Sequence, residues 1–177
     1  MRLALLAIAL SLASLASGQD GDLAAPVWVA QKAMTTAFRF SVLTTAIDDS
    51  LAPVGLRMYD RRTGRLVQEV LGIDGLDVRR RADGLVRLVD ANFDGHPDIE
   101  LAIDRGGVGP NNTSHFYLYS PATQRFEIKA MLSALTQVRI NRDRTISAFA
   151  RGGCCNPVAD LLRPAVRTLA AAVQMAA

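Results

Sequence analysis

Histidine and cysteine are scarce in this chain of 177 residues, which has two of each. Two cysteines cannot build the disulfide framework of a small secreted scaffold. Two histidines, His96 and His115, leave few options for a multi-histidine zinc site or histidine-based catalysis. Ser114 and His115 are adjacent on a predicted strand and so project to opposite faces, which is poor geometry for a nucleophile and its base. There is no Gly-x-Ser-x-Gly elbow and no Gly-Lys-Ser phosphate loop. No large surplus of one charge exists either: the net charge is +3, and removal of Arg2 with the first 18 residues leaves 19 basic against 17 acidic side chains. Despite a pI of about 9.2, that balance gives no strong polyanion field and no expectation of a nucleic-acid partner. The chain is not expected to be an enzyme.

The longest apolar run is N-terminal. Met1 and Arg2 are followed by the apolar stretch Leu3 to Leu15 and then by Ala16-Ser17-Gly18, the pattern of a secretory signal peptide cleaved near Gln19. Asp20 and Asp22 arrive too soon for the roughly 20 apolar residues of a membrane span. No membrane span is therefore expected, no cysteine near the cleavage site offers a lipid anchor, and the address is periplasmic or secreted. Residues 1–18 are the signal and 19–177 a single β-rich domain. At 50% hydrophobic and 21% charged residues, that domain can bury a core and is not a disordered tail.

Alternation dominates from Ala37 onward. Phe38, Phe40 and Val42 share one parity, as do Val54, Leu56 and Met58; the signal recurs at Leu76 and Val78, at Ile99, Leu101 and Ile103, at Phe116 and Leu118, at Phe126 and Ile128, and around Ile146. Period two means half-buried strands. Turn formers separate them at Asp60 to Gly64, Ala82 to Gly84, Asp94-Gly95, Ser120-Pro121 and Asn141 to Arg144. Such spacing predicts an all-β protein of antiparallel hairpins: a meander, sandwich or propeller. Gln31 to Thr36 reads as a short helix or a first strand, and Ala130 to Leu135 as one helical turn. The alanine-rich stretch 157–177, with Leu161, Leu162, Val166, Leu169 and Val173 at near-helical spacing, predicts a terminal helix or a fraying tail. Tyr59-Asp60-Arg61-Arg62-Thr63-Gly64-Arg65-Leu66 is echoed 60 residues later by Tyr119-Ser120-Pro121-Ala122-Thr123-Gln124-Arg125-Phe126. The echo is either one repeated hairpin unit, as a bladed fold requires, or two hairpins with similar turns.

The segment Asp90-Ala91-Asn92-Phe93-Asp94-Gly95-His96-Pro97-Asp98 carries oxygen side chains at loop positions 1, 3, 5 and 9, with glycine at 6. That is calcium-loop spacing, with the backbone carbonyl of His96 as a further ligand. Leu101 at position 12 rules out the bidentate carboxylate of a helix-loop-helix sensor, so the ion would stiffen a β-turn. The competing reading is an Asx-rich turn that holds itself without metal. Arg105 to Ser114 forms a glycine-rich loop, either a recognition element or an inert connection. Cys154 and Cys155 are adjacent, and stand as a strained vicinal disulfide, an interchain pair or free thiols.

Leu88 to Asp98, the glycine-rich loop, and Phe116-Tyr117-Leu118-Tyr119-Ser120-Pro121-Ala122-Thr123-Gln124-Arg125-Phe126 together resemble exported bacterial FG-GAP-like proteins. Within that group the chain is similar to periplasmic immunity proteins of antibacterial type IV secretion systems, themselves similar to periplasmic inhibitors of invertebrate-type lysozyme. The resemblance spans roughly Val54 to Cys155. It implies a small propeller-like fold with an embedded calcium loop formed by Asp90, Asn92, Asp94, His96 and Asp98, and a further hairpin after Cys155. It also implies a partner, a lysozyme-like glycoside hydrolase whose cleft is blocked by a loop. Here that loop would fall within Gly106 to Tyr117, with Arg105, Gly106, Gly107, Asn111, Asn112, Ser114, His115 and Tyr117 as contacts. The alternative is a calcium-binding FG-GAP-like module with a non-enzyme envelope partner.

Overall fold

The computed structural model describes residues 25–47, 50–74, 81–103, 112–152 and 156–162. The proposed signal, Leu76 and Val78, Arg105 to Asn111, both cysteines and the tail beyond residue 162 lie outside them. The described chain is all-β, built as three antiparallel meanders. Sheet 1 runs β1 (Val27–Met34), β2 (Phe38–Ile47), β3 (Ser50–Asp60), β4 (Leu66–Leu71), and sheet 2 runs β5 (Val86–Val89), β6 (Asp98–Ile103), β7 (Thr113–Ser120), β8 (Arg125–Ile128). Sheet 3 has the order β11-β10-β9, from β9 (Arg139–Ile140), β10 (Ile146–Gly152) and β11 (Asn156–Leu162). One helical turn, α1 (Ala130–Ser133), links sheets 2 and 3. The described sheets do not form a closed propeller.

The alternation in sequence translates into faces. Phe40 and Val42 of β2 and Leu56 and Met58 of β3 point into a core shared with Ile99, Leu101 and Ile103 of β6, Tyr117 of β7 and Phe126 of β8. Side chains this well buried contribute about 1.5–3 kcal/mol each. The other face of sheet 2 is covered too: Phe116 of β7 packs with Ala91, with Leu132 of α1 and with Ile146 of β10. Sheet 2 is therefore the middle layer of the stack. Two glutamines stitch it to sheet 1. The Gln31 carboxamide accepts from the N–H groups of Leu85 and Val86 and donates to the Ala82 carbonyl. Gln68 exchanges both hydrogen bonds with the backbone of Phe126, at 2.7 and 2.9 Å, as a neighbouring strand would.

Both echoed segments are hairpins. In the first, Asp60 accepts from the Thr63 N–H at 2.6 Å and Gly64 takes a left-handed φ of 73°. In the second, Ser120 replaces the aspartate with a 3.4 Å contact to the Thr123 N–H, and Gln124 adopts φ 54°. Gln31 to Met34 belong to strand β1, and Ala130–Ser133 is the expected helical turn. The terminal helix is corrected over its first residues: 156–162 form a strand whose register runs from Asn156 opposite Gly152 to Leu162 opposite Ile146. Pairing along the free side of β10 outweighs the helical preference of a short alanine-containing run. Pro157 is tolerated because β11 is an edge strand.

Candidate functional site

The Asp90–Asp98 segment is the β5–β6 connection, and Val89 and Asp98 are the last paired residues below it. Its turns are made by its own side chains. Asp90 accepts from the N–H groups of Asp94 and Gly95, each at 3.0 Å. Asn92 accepts from the Asp94 N–H at 3.1 Å, and Asp94 from the His96 N–H at 2.8 Å. The Asn92 amide also donates to Asp94 at 2.7 Å, so the side chains of Asp90, Asn92 and Asp94 are gathered on one loop. Two left-handed residues permit the reversal, Gly95 at φ 87° and Phe93 at φ 60°. Glycine adopts that conformation freely, whereas Phe93 is held there against a cost of about 1–2 kcal/mol.

Asp98 is placed differently. It is fully buried beneath the loop, with one oxygen accepting from the Ala91 N–H at 2.9 Å and the other from the Tyr119 N–H at 2.8 Å. It therefore ties the start of the loop to β7 and acts as a buttress. Burial pushes its pKa up to about 6; the two N–H donors oppose the shift, and the negative charges of Asp94 and Asp90 add to it. Among the described residues no three His, Cys, Asp or Glu side chains converge as a metal-holding group. The side-chain donors gathered at the loop are two carboxylates and one amide oxygen, which is hard oxygen chemistry suited to calcium rather than zinc. A carboxylate has about four lone-pair sites, so the N–H bonds to Asp90 and Asp94 leave capacity for a cation.

The far side of the loop meets sheet 3. Arg144, in the β9–β10 turn at φ 62°, donates to the Phe93 carbonyl at 2.7 Å and lies 5.9 Å from the Phe93 ring centroid. An open groove of about 540 Å³ runs between loop and turn, with Asp90 and Asp94 on one wall and Arg142 and Arg144 on the other. Sequence reasoning missed Arg144, because nothing local links residues 51 apart.

The expected partner contacts divide. Asn112 is exposed and Ser114 half-buried, the latter donating to Glu100 at 3.0 Å beside Arg87. His115 and Tyr117 are interior, at 8% and 3% exposure, with Tyr117 in the core shared with sheet 1, so their side chains have almost no surface for a partner. Arg105, Gly106, Gly107 and Asn111 lie outside the described residues. No helix among the described residues is long and apolar enough to cross a membrane. No protein-family model, curated protein or solved structure matches the chain.

Proposed function

We propose that this chain is an exported, calcium-stabilised β-protein that binds a lysozyme-like peptidoglycan hydrolase and inhibits it, in an immunity or inhibitor role. The observation that carries the reading is the Asp90–Asp98 loop, which gathers Asp90, Asn92 and Asp94 at the head of a hairpin in the middle layer of the stack. Those three side chains and the His96 carbonyl would hold calcium, with Asp98 as their buried support. The bound ion would supply positive charge to mutually repelling carboxylates and would stiffen the turn; it would carry out no reaction. The three meanders suit a small propeller-like arrangement in which each sheet serves as a blade. Export to the periplasm or beyond rests on the first 18 residues, and the hydrolase partner rests on the resemblance of Val54 to Cys155.

The second reading keeps the fold and the ion but gives the module a non-enzyme envelope partner. It is favoured by the burial of His115 and Tyr117, which removes two contacts from the stretch expected to block a cleft. The two separate in one assay. With the chain in excess over each member of a panel of muramidases, the inhibitor reading expects stoichiometric loss of activity against at least one. A panel left fully active rules it out, and recovery of a non-enzyme envelope protein from periplasmic extract then supports the second reading.

A further inference from the structure

The outward face of sheet 1 has no covering layer among the described residues, and its composition is unlike that of a solvated face. Trp28, Leu43, Gly55 and Leu71 form one cross-strand row. A Cβ on Gly55 would come within 3.1 Å of Leu71 and 3.2 Å of Trp28, so the glycine lets these side chains close over the backbone as a continuous apolar strip. In the next row Arg57 stacks 4.0 Å from the Trp28 ring centroid and pairs with Glu69, and beyond it Arg39 lies 5.2 Å from that of Tyr59. The adjoining β3–β4 turn adds exposed Arg61, Arg62 and Arg65. Of these five arginines, Arg57 pairs with Glu69 and Arg61 donates to the Thr35 carbonyl, while Asp60 is occupied in closing the turn on Thr63. Trp, Tyr and Arg around an apolar centre make up the usual composition of protein-binding hot spots.

We infer that this face is where the hydrolase of the proposed function docks, its apolar strip against an apolar lip and its arginines against the carboxylates of the cleft. The inference rests on that function for the identity of the partner. Glycoside hydrolases carry paired carboxylates around the scissile bond, and guanidinium groups recognise carboxylates bidentately, so the charges complement each other. A second copy would set five arginines against five. A lipid surface would draw the central Arg57–Glu69 pair toward hydrocarbon at high cost. Residues 163–177 contain Arg163 and Arg167 and no acid, so their charge also matches poorly.

Trp28 is the sole tryptophan, so the full chain labelled with 5-fluorotryptophan gives one fluorine signal located on this face. Titration with a purified muramidase is expected to shift that signal. Leu71→Asp and the double variant Arg62→Glu/Arg65→Glu should each weaken binding at least about tenfold, while Glu127→Gln, at an exposed position of β8, leaves it unchanged. Muramidase binding with an unmoved signal and unaffected variants overturns the docking face but leaves the proposed function standing. Absence of binding to every muramidase removes both. Two further outcomes assign the face to another occupant and overturn the inference: a dimer abolished by Leu71→Asp, or a signal that responds to phosphatidylglycerol vesicles instead.

Discussion

Sheets 1 and 2 are both four-stranded antiparallel meanders, yet they obey different sequence rules. In sheet 1 one face of β2 and β3 holds Phe40, Val42, Leu56 and Met58, while the other holds Arg39, Arg57 and Tyr59. In sheet 2, Ile99, Leu101 and Tyr117 look to sheet 1, while the opposite face is covered where Phe116 meets sheet 3 and polar where Ser114 donates to Glu100. A sheet covered on one side shows clean alternation, and partial cover of the second side adds apolar residues to it. The carboxylate buried in the middle layer, Asp98, accepts from two backbone N–H groups. The middle sheet carries the fold, and the outer sheet leaves one face without a covering layer among the described residues.

The widest separation between the two should come from truncation. Phe116→Ala, at a fully buried position between sheets 2 and 3, is expected to lower the unfolding free energy in urea by about 3–5 kcal/mol. Leu43→Ala on the open face should cost less than about 1 kcal/mol. Equal losses would break the distinction between a covered and an open sheet.

Acid titration sharpens the same contrast. Asp98 has its folded pKa raised to about 6 from the ordinary aspartate value of 3.8, so between those values the folded chain binds more protons than the unfolded one. Its contribution is therefore complete below about pH 3.8 and is lost as pH rises through 6, by up to about 3 kcal/mol in chelator-treated protein. Urea unfolding at pH 4.5 and pH 7 should reveal that loss, and Asp98→Asn should flatten it. On sheet 1, Asp60 has its pKa lowered by the Thr63 hydrogen bonds. Its stabilising contribution is present above the ordinary carboxylate value and disappears only below the window in which Asp98 acts. A profile that rises between pH 4.5 and 7 and is unaltered by Asp98→Asn would refute the assignment.

The smallest effect compares the two echoed turns. Gln124 occupies at φ 54° the place that Gly64 fills at φ 73°. Gln124→Gly should therefore stabilise the chain by about 1 kcal/mol, and Gly64→Ala should destabilise it by a similar amount. Thermal melts of the two variants moving in the same direction would deny that the turns are equivalent.

Much of this architecture is legible in the sequence. Period-two spacing marks Phe40 and Val42, Leu56 and Met58, and Ile99, Leu101 and Ile103 as sharing faces, and all are buried together. The Asx spacing of Asp90, Asn92 and Asp94 foretells a closely turned loop. Less visible are features set by distant partners. Asp98 looks like one more oxygen in a row of ligands, because its capture by the Tyr119 N–H depends on a strand 21 residues away. Arg144 and Gln68 are unremarkable in their own segments and matter only through backbone groups of Phe93 and Phe126. The stretch 156–162 suggests a helix because a short apolar run fits either period, and the choice is made by β10 alongside it.

Calcium dependence of stability tests the account most directly, through thermal melts of the chain in calcium and in chelator. An ion that binds only the folded loop must stabilise it by mass action, by about 2.7 kcal/mol at a hundredfold excess over its dissociation constant. The expected result is a melting temperature that rises with calcium and a rise that Asp90→Asn abolishes. An identical melt in calcium and in chelator would contradict the account and reduce Asp90–Asp98 to a turn held by its own hydrogen bonds.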